Sequence, residues 1–190
     1  MMQTLLNFLY KYFLFIKNDN VTLNGKLKIK NKPLIHILKG SSLILEDNVL
    51  LNSKNSKYHL NMFAPIKIYI DKIGAKIKIG KNTRIHGSCL HAYDSIEIGE
   101  NCLIAANCQI FDGSGHQVFL NDPTKRIFTS GTVKPIKIGN NCWLGTSVII
   151  LPGSKLGNNC IVAAGSVVNG DFEDNSLIGG NPATVIKSLK

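Results

Sequence analysis

Ile138, Leu144, Ile150, Leu156, Val162 and Val168 stand six residues apart without a break. A helix repeats every 3.6 residues and an ordinary strand every two, so neither produces this spacing. The interval returns at Ile98, Ile104 and Ile110, and at Ile79 and Ile85. Three sixes make eighteen, which predicts an all-β fold: a parallel β-helix of three-sided coils with a short strand on each side. One residue after seven of these aliphatics stands a small one (Gly80, Gly99, Ala105, Gly139, Gly145, Gly157, Ala163), suited to a tight corner. Four residues after it stands another compact side chain, such as Thr83, Cys102, Val148 or Ser166. Large groups fill the prism centre and small ones its crowded corners. Stacking then places Ile138 on Leu156, Leu144 on Val162 and Ile150 on Val168.

The pattern also divides the chain. Residues 1–20 read as an N-terminal amphipathic helix, MMQTLLNFLYKYFLFIK with its short continuation. Its apolar run is short and holds Lys11, against a membrane span. It lacks a basic start and a cleavage site, against a signal peptide. Docking on the β-helix or on a neighbouring subunit is the leading expectation, and peripheral membrane contact through residues 1–17 is the rival. Residues 21–75 keep the six-residue spacing only in fragments and read as irregular early coils. Residues 76–180 read as the regular β-helix, broken by an extruded loop at 111–137. Loops of that length are usually functional or disordered. Asn181-Pro182 reads as a helix start, so residues 181–190 are expected to form a short C-terminal helix.

Composition changes this picture little. The chain has 190 residues, 44% of them hydrophobic, enough for one domain with a sizeable core. Its formal charge is +10, but lysines alternate with aliphatics, as in Lys76-Ile77-Lys78-Ile79, and read as the wet outer face of strands. The summed field favours anionic partners. Nucleic acid is not expected, because the basic residues are dispersed. All five cysteines (Cys89, Cys102, Cys108, Cys142, Cys160) fall four residues after an aliphatic, so they read as inert packing in a reducing, cytoplasmic setting.

The stretches IGENCLIAANCQI, the loop with Gly115-His116, IGNNCWLGTSVIILPGSKLGNNCIVAAGSVV and the closing GGNPATVIK resemble the hexapeptide-repeat acyltransferases. The resemblance covers residues 76–190, on the sugar O-acetyltransferase branch (galactoside, maltose and capsular polysaccharide enzymes). It implies a left-handed β-helix, a homotrimer and active sites between subunits. Coil spacing alone does not give the hand, since parallel crossovers are almost always right-handed.

By the same resemblance His116 is the catalytic base. A sugar hydroxyl must lose its proton as it attacks a thioester carbonyl, and an imidazole suits that task. Backbone N–H groups near Gly145 are expected to steady the oxyanion. Acetyl-CoA is the expected co-substrate, along a groove formed by Trp143, Gly145, Thr146, Ala163, Ala164 and Gly165. Relatives often carry Thr-Lys where this chain has Asn169-Gly170, and some carry Arg where it has Thr184, so Lys187 or a neighbouring subunit's lysine is the expected contact for the phosphates. His86 and Asp112 are assigned to acceptor binding, with Asp112 orienting the imidazole or shaping the turn. No metal is expected. Trimeric β-helix carbonic anhydrases also share this scaffold, but His86, His91 and His116 come in the wrong order for their zinc site. The expected function is acetyl-CoA-dependent O-acetylation of a sugar hydroxyl, in surface polysaccharide biosynthesis. The alternatives are N-acetylation of a nucleotide-linked amino sugar and a non-catalytic scaffold. The lack of a preceding nucleotide-sugar-binding domain weighs against the amino-sugar enzyme.

Overall fold

The computed structural model describes Phe15 and residues 18–189. Apart from Phe15, which is buried in the core, the expected N-terminal helix lies outside the described residues. Among the described residues no helix is long and apolar enough to cross a membrane.

Three sheets form the sides of a prism. The first holds Val21–Asn24, Ser42–Glu46, Lys76–Ile79, Ser95–Ile98, Ile136–Ile138, Lys155–Leu156 and Asp171–Phe172. The second holds Leu27–Lys30, Val49–Asn52, Arg84–His86, Leu103–Ile104, Trp143–Leu144, Ile161–Val162 and Ser176–Gly180, with Ala183–Ser188 beyond. The third holds Leu34–Ile37, Lys67–Ile70, Cys89–Ala92, Gln109–Phe111, Ile149–Ile150 and Val167–Val168. Every strand pairs in parallel with the equivalent strand of the next coil, except the last. The chain therefore winds as a parallel β-helix.

Stacking follows the six-residue pattern. Ile138 pairs with Leu156, Leu144 with Val162 and Ile150 with Val168. All six are buried, as are Ile79, Ile85, Ile98, Ile104 and Ile110. Each such side chain contributes about 1.5–3 kcal/mol on leaving water. The coils that read as irregular enter the same three sheets: Leu43 pairs with Ile77, and Leu51 with Ile85. Their repeat is obscured by a segment, residues 53–66, inserted between the second and third sides of one coil.

One corner is built from asparagine. Asn48, Asn82, Asn101, Asn141, Asn159 and Asn175 all have φ between 56° and 61°. Asparagine tolerates this left-handed conformation because its short amide bonds locally. Here the amides also bond between coils. Asn82 Nδ2 donates to Asn101 Oδ1 (3.0 Å), Asn141 Nδ2 to Asn159 Oδ1 (3.0 Å) and Asn159 Nδ2 to Asn175 Oδ1 (2.9 Å). Beside this ladder runs a glycine column. A Cβ on Gly139 would lie 2.6 Å from the Gly157 carbonyl, and one on Gly99 2.7 Å from that of Gly139.

The cysteines complete the corner. Cys102, Cys142 and Cys160 are buried and donate from Sγ to the carbonyls of Gly139, Gly157 and Glu173, at 3.1, 3.1 and 3.2 Å. Cys108 does the same to Gly145, at 3.2 Å. Among the described residues none is disulfide-bonded. Burial pushes the Cys108 thiol up to about 11 and raises those of Cys89 and Cys160.

The expected C-terminal helix is a strand. Ala183–Ser188 turns back at Asn181-Pro182 and pairs antiparallel with Ser176–Gly180. Asn-Pro serves a tight turn as readily as a helix cap, and Thr184, Val185 and Ile186 are β-branched, favouring an extended chain. The strand also caps an edge that would otherwise be open.

Candidate active site

Between Phe111 and Ile136 the chain departs from the coil and returns. Its neck is zipped by an antiparallel bridge between Gly113 and Val133. Ser114 N donates to Thr132 O (3.2 Å), Gly131 N to Ser114 O (3.0 Å) and Lys134 N to Asp112 O (2.7 Å). Gly113 is needed there: a Cβ would lie 2.5 Å from the Tyr93 ring. Asp112 anchors the base of the neck. Its buried carboxylate accepts from Tyr93 N (2.7 Å) and Asp94 N (2.8 Å). Each oxygen takes one backbone N–H, so Asp112 shapes the turn, and among the described residues its carboxylate makes no bond to the His116 imidazole.

His116 is exposed within this loop. Its Nδ1 lies 2.8 Å from the carbonyl oxygen of Arg126. A carbonyl only accepts, so Nδ1 carries the hydrogen and the neutral ring has its lone pair on Nε2. Arg126 sits in a 3₁₀ helix, Pro123–Phe128, capped by Asp122 through Thr124. Its guanidinium donates to Phe119 O (3.0 Å), tying the helix to the strand of loop after His116. The Arg126 carbonyl is a partner of His116 that residue types do not reveal. The Asp-Pro start of the helix was the available signal. Around it Val118, Leu120, Ile127 and Phe128 present apolar side chains to the outside.

The expected cofactor residues gather at the corner after the second sheet. Trp143 pairs with Leu103 above and Ile161 below, and is 51% exposed. Continuing that register, Ala105, Gly145 and Ala163 stand in one column, and Ala106, Thr146 and Ala164 in the next. A Cβ on Gly145 would lie 2.6 Å from Ala164 N, so this one position of the floor admits only glycine. At Gly165 (φ 72°) a Cβ would meet nothing within 4 Å, so the corner lies open to an extended chain. A narrow floor with an open rim fits a pantetheine arm.

The corner expected to supply oxyanion donors has its free N–H groups beside Gly145 and not on it. Gly145 N donates to Val162 O (2.8 Å), so its hydrogen belongs to the coil ladder. Among the described residues the N–H groups of Thr146 and Ala164 have no acceptor. The Thr146 hydroxyl donates to Ala106 O (2.8 Å), which presses the corner flat. Lys187 is exposed on the final strand, opposite Leu177.

The three histidines do not converge. His86 is on the second sheet, above Ala105, and Asn52 Nδ2 lies 3.0 Å from its Nδ1. Burial, with Lys30, Arg84 and His59 nearby, lowers its pKa to about 4. His91 is on the third sheet, with Nε2 3.1 Å from Asp71 Oδ1. His116 stays within its loop. Among the described residues no cluster of His, Cys, Asp and Glu is placed to hold a metal.

Two family profiles match. Residues 135–170 match the bacterial transferase hexapeptide (six repeats) family, and residues 76–111 the hexapeptide repeat of succinyl-transferase. The galactoside O-acetyltransferase of Escherichia coli is 34% identical over 61% of this chain and 56% of its own. The crystal structure of a maltose O-acetyltransferase from Clostridium difficile superposes with TM-score 0.55 at 35% identity, covering 66% of this chain and 67% of that one. A hexapeptide-repeat acetyltransferase from Vibrio cholerae, solved with acetyl coenzyme A, gives TM-score 0.56 at 32% identity, over 65% of each chain. Of the first curated relatives it matches, this chain spans 37–58% of the length.

Proposed function

Because this chain belongs to the hexapeptide-repeat acyltransferases, we propose that it moves an acetyl group from acetyl-CoA to a sugar hydroxyl, within surface polysaccharide assembly. The observation that carries the proposal is the bond between His116 Nδ1 and the Arg126 carbonyl. It leaves Nε2 as the basic nitrogen on an exposed ring, which is what a general base requires.

When bound, acetyl-CoA supplies the activated acyl group, its pantetheine lying over Gly145, Ala163, Ala164 and Gly165. Trp143 flanks it and Lys187 meets its phosphates. Nε2 of His116 accepts the proton of the sugar hydroxyl as that oxygen attacks the carbonyl. The Thr146 N–H donates to the oxygen that gains charge. The protonated imidazole then returns its proton to the departing sulfur, and the Arg126 carbonyl steadies the positive ring meanwhile. Cys102, Cys108, Cys142 and Cys160 are buried and hydrogen-bonded, and burial raises the thiol of the half-buried Cys89, which speaks against an acyl-enzyme. Within one chain His116 bonds only to its own loop, so the reading includes a trimer of left-handed coils in which each loop reaches a neighbour's floor.

The test is acetyl-CoA consumption against a panel of sugars and polysaccharides, with product mass spectrometry. O-acetyl products released by mild alkali support the proposal. Alkali-stable products point to N-acetylation of an amino sugar, and no consumption with any acceptor points to the scaffold.

A further inference from the structure

The inserted segment 53–66 leaves the coil three above Gly145, on the same corner as the acyl floor, and reaches down to the coil of Asn107. It is clasped there. Asn107, at the corner with φ 67°, accepts from Phe63 N (3.0 Å) and donates to Asn61 O (2.9 Å). Met62 N donates to Asn55 Oδ1 and Ile66 N to Ser53 Oγ, both at 3.0 Å. In register, Asn107 is directly above Ser147, the neighbour of Thr146, and coils lie about 4.8 Å apart. Between the insert and this corner lies a cleft of about 400 Å³, lined by Phe63, Pro65, Ser88, Asn107 and Ser147.

At the other side of the same corner the insert delivers Tyr58 onto His86. The rings stack with centroids 4.8 Å apart at 27°. The Tyr58 hydroxyl lies against the backbone of Ala106, whose carbonyl holds the Thr146 hydroxyl. His86 is fixed as one tautomer. Lys54 N donates to Asn52 Oδ1 (3.0 Å), which settles the amide, so Asn52 Nδ2 faces the ring and donates to Nδ1. The hydrogen of the neutral ring must then be on Nε2. Among the described residues Nε2 has no partner, and no fully buried polar side-chain atom lacks one, so Nε2 is not sealed from solvent. His116 presents a lone pair and His86 a hydrogen: two imidazoles with opposite tautomers.

We propose that segment 53–66 forms the acceptor wall of the site, where the His86 Nε2–H donates to a sugar oxygen and the Tyr58 ring holds that imidazole in place. His86 was assigned to the acceptor from sequence; its donor role, the part of Tyr58 and the wall itself are new. The assignment rests on the acetyltransferase reading for its reaction, yet it has its own readout. Tyr58 is a positioning residue: it acts through His86.

The experiment uses the full chain and two measurements. Binding of methyl galactoside, methyl glucoside and methyl N-acetylglucosaminide is followed by saturation-transfer NMR without acetyl-CoA. The best binder is then used for steady-state kinetics. Tyr58→Ala and His86→Leu are expected to weaken glycoside binding and raise the acceptor KM about tenfold, the worth of one hydrogen bond, with the acetyl-CoA KM unchanged. Tyr58→Phe keeps the stack, and His86→Gln keeps a donor, so both are expected to stay within about threefold of the parent. Equal binding by all variants overturns the assignment, as does a parent that binds none of the three glycosides. A parent that binds through Tyr58 and His86 but transfers no acetyl group keeps the wall and removes the acetyltransferase reading.

Discussion

The Arg126 carbonyl oxygen stands 2.8 Å from Nδ1 of His116, so a backbone group ten residues away in sequence selects the tautomer of the exposed ring. This orienter cannot be deleted by changing the Arg126 side chain. It can be displaced by loosening the 3₁₀ helix that carries it, where Asp122 Oδ1 accepts the Thr124 hydroxyl at 2.6 Å.

His116→Ala is therefore expected to lower kcat by about 10²–10⁴, the usual contribution of a general base. Its thermal midpoint should match the parent's, because the side chain is exposed. Asp122→Ala should lower kcat by a smaller factor and leave both KM values in place. Initial rates with the acceptor found in the panel screen decide this, and an Asp122 variant with altered KM and intact kcat contradicts it.

The asparagine ladder should be measurable as stability. Asn141→Ala removes two cross-coil bonds and leaves a Cβ residue in left-handed conformation, a loss of about 1–2 kcal/mol. Asn141→Gly loses the bonds and avoids the strain, so it should cost clearly less. Urea unfolding of the two variants gives the comparison. Equal losses would mean that backbone conformation contributes nothing at this corner.

Glycine positions separate into two kinds. Gly139→Ala places a methyl 2.6 Å from the Gly157 carbonyl, and overpacking of that kind costs about 1–3 kcal/mol. Gly115→Ala, beside His116, meets nothing within 4 Å and should leave stability unchanged. Differential scanning calorimetry on the pair tests whether the column requires glycine for space.

His86 predicts a pH dependence. Its folded pKa is about 4, against about 6.5 for a free imidazole, because burial, Lys30, Arg84 and His59 all oppose a charge. Between those values the unfolded chain binds more protons than the folded one, so stability rises with pH. The contribution is complete above about pH 6.5 and is lost as the pH falls toward 4. His86→Gln should flatten the urea midpoint between pH 7 and pH 5. An unchanged slope would assign the acid sensitivity elsewhere.

The six-residue spacing from Ile138 to Val168 was enough to determine the prism, its stacking pairs and the burial of four of the five cysteines, Cys89 being only half-buried. Each of those depends on one residue type meeting its own kind a coil away, which a repeat displays in one dimension. The asparagines three residues after Ile98, Ile138 and Leu156 were just as regular. Their role as a left-handed hydrogen-bonded corner exists only once the coils are stacked. The C-terminal strand was misread because Asn181-Pro182 starts a turn or a helix equally well, and only the open edge at Ser176–Gly180 chooses between them. Of the candidate site, His116, Gly145 and Thr146 carried the recognisable motif, while Tyr58 on His86 and the Arg126 carbonyl on His116 carried none. Those contacts belong to an insert and a loop, whose residues lack a repeat and acquire partners only through the fold. Periodicity thus determined the scaffold, and tertiary contact decided the tautomers, because a proton's place on an imidazole is set by whatever atom the fold brings to the ring.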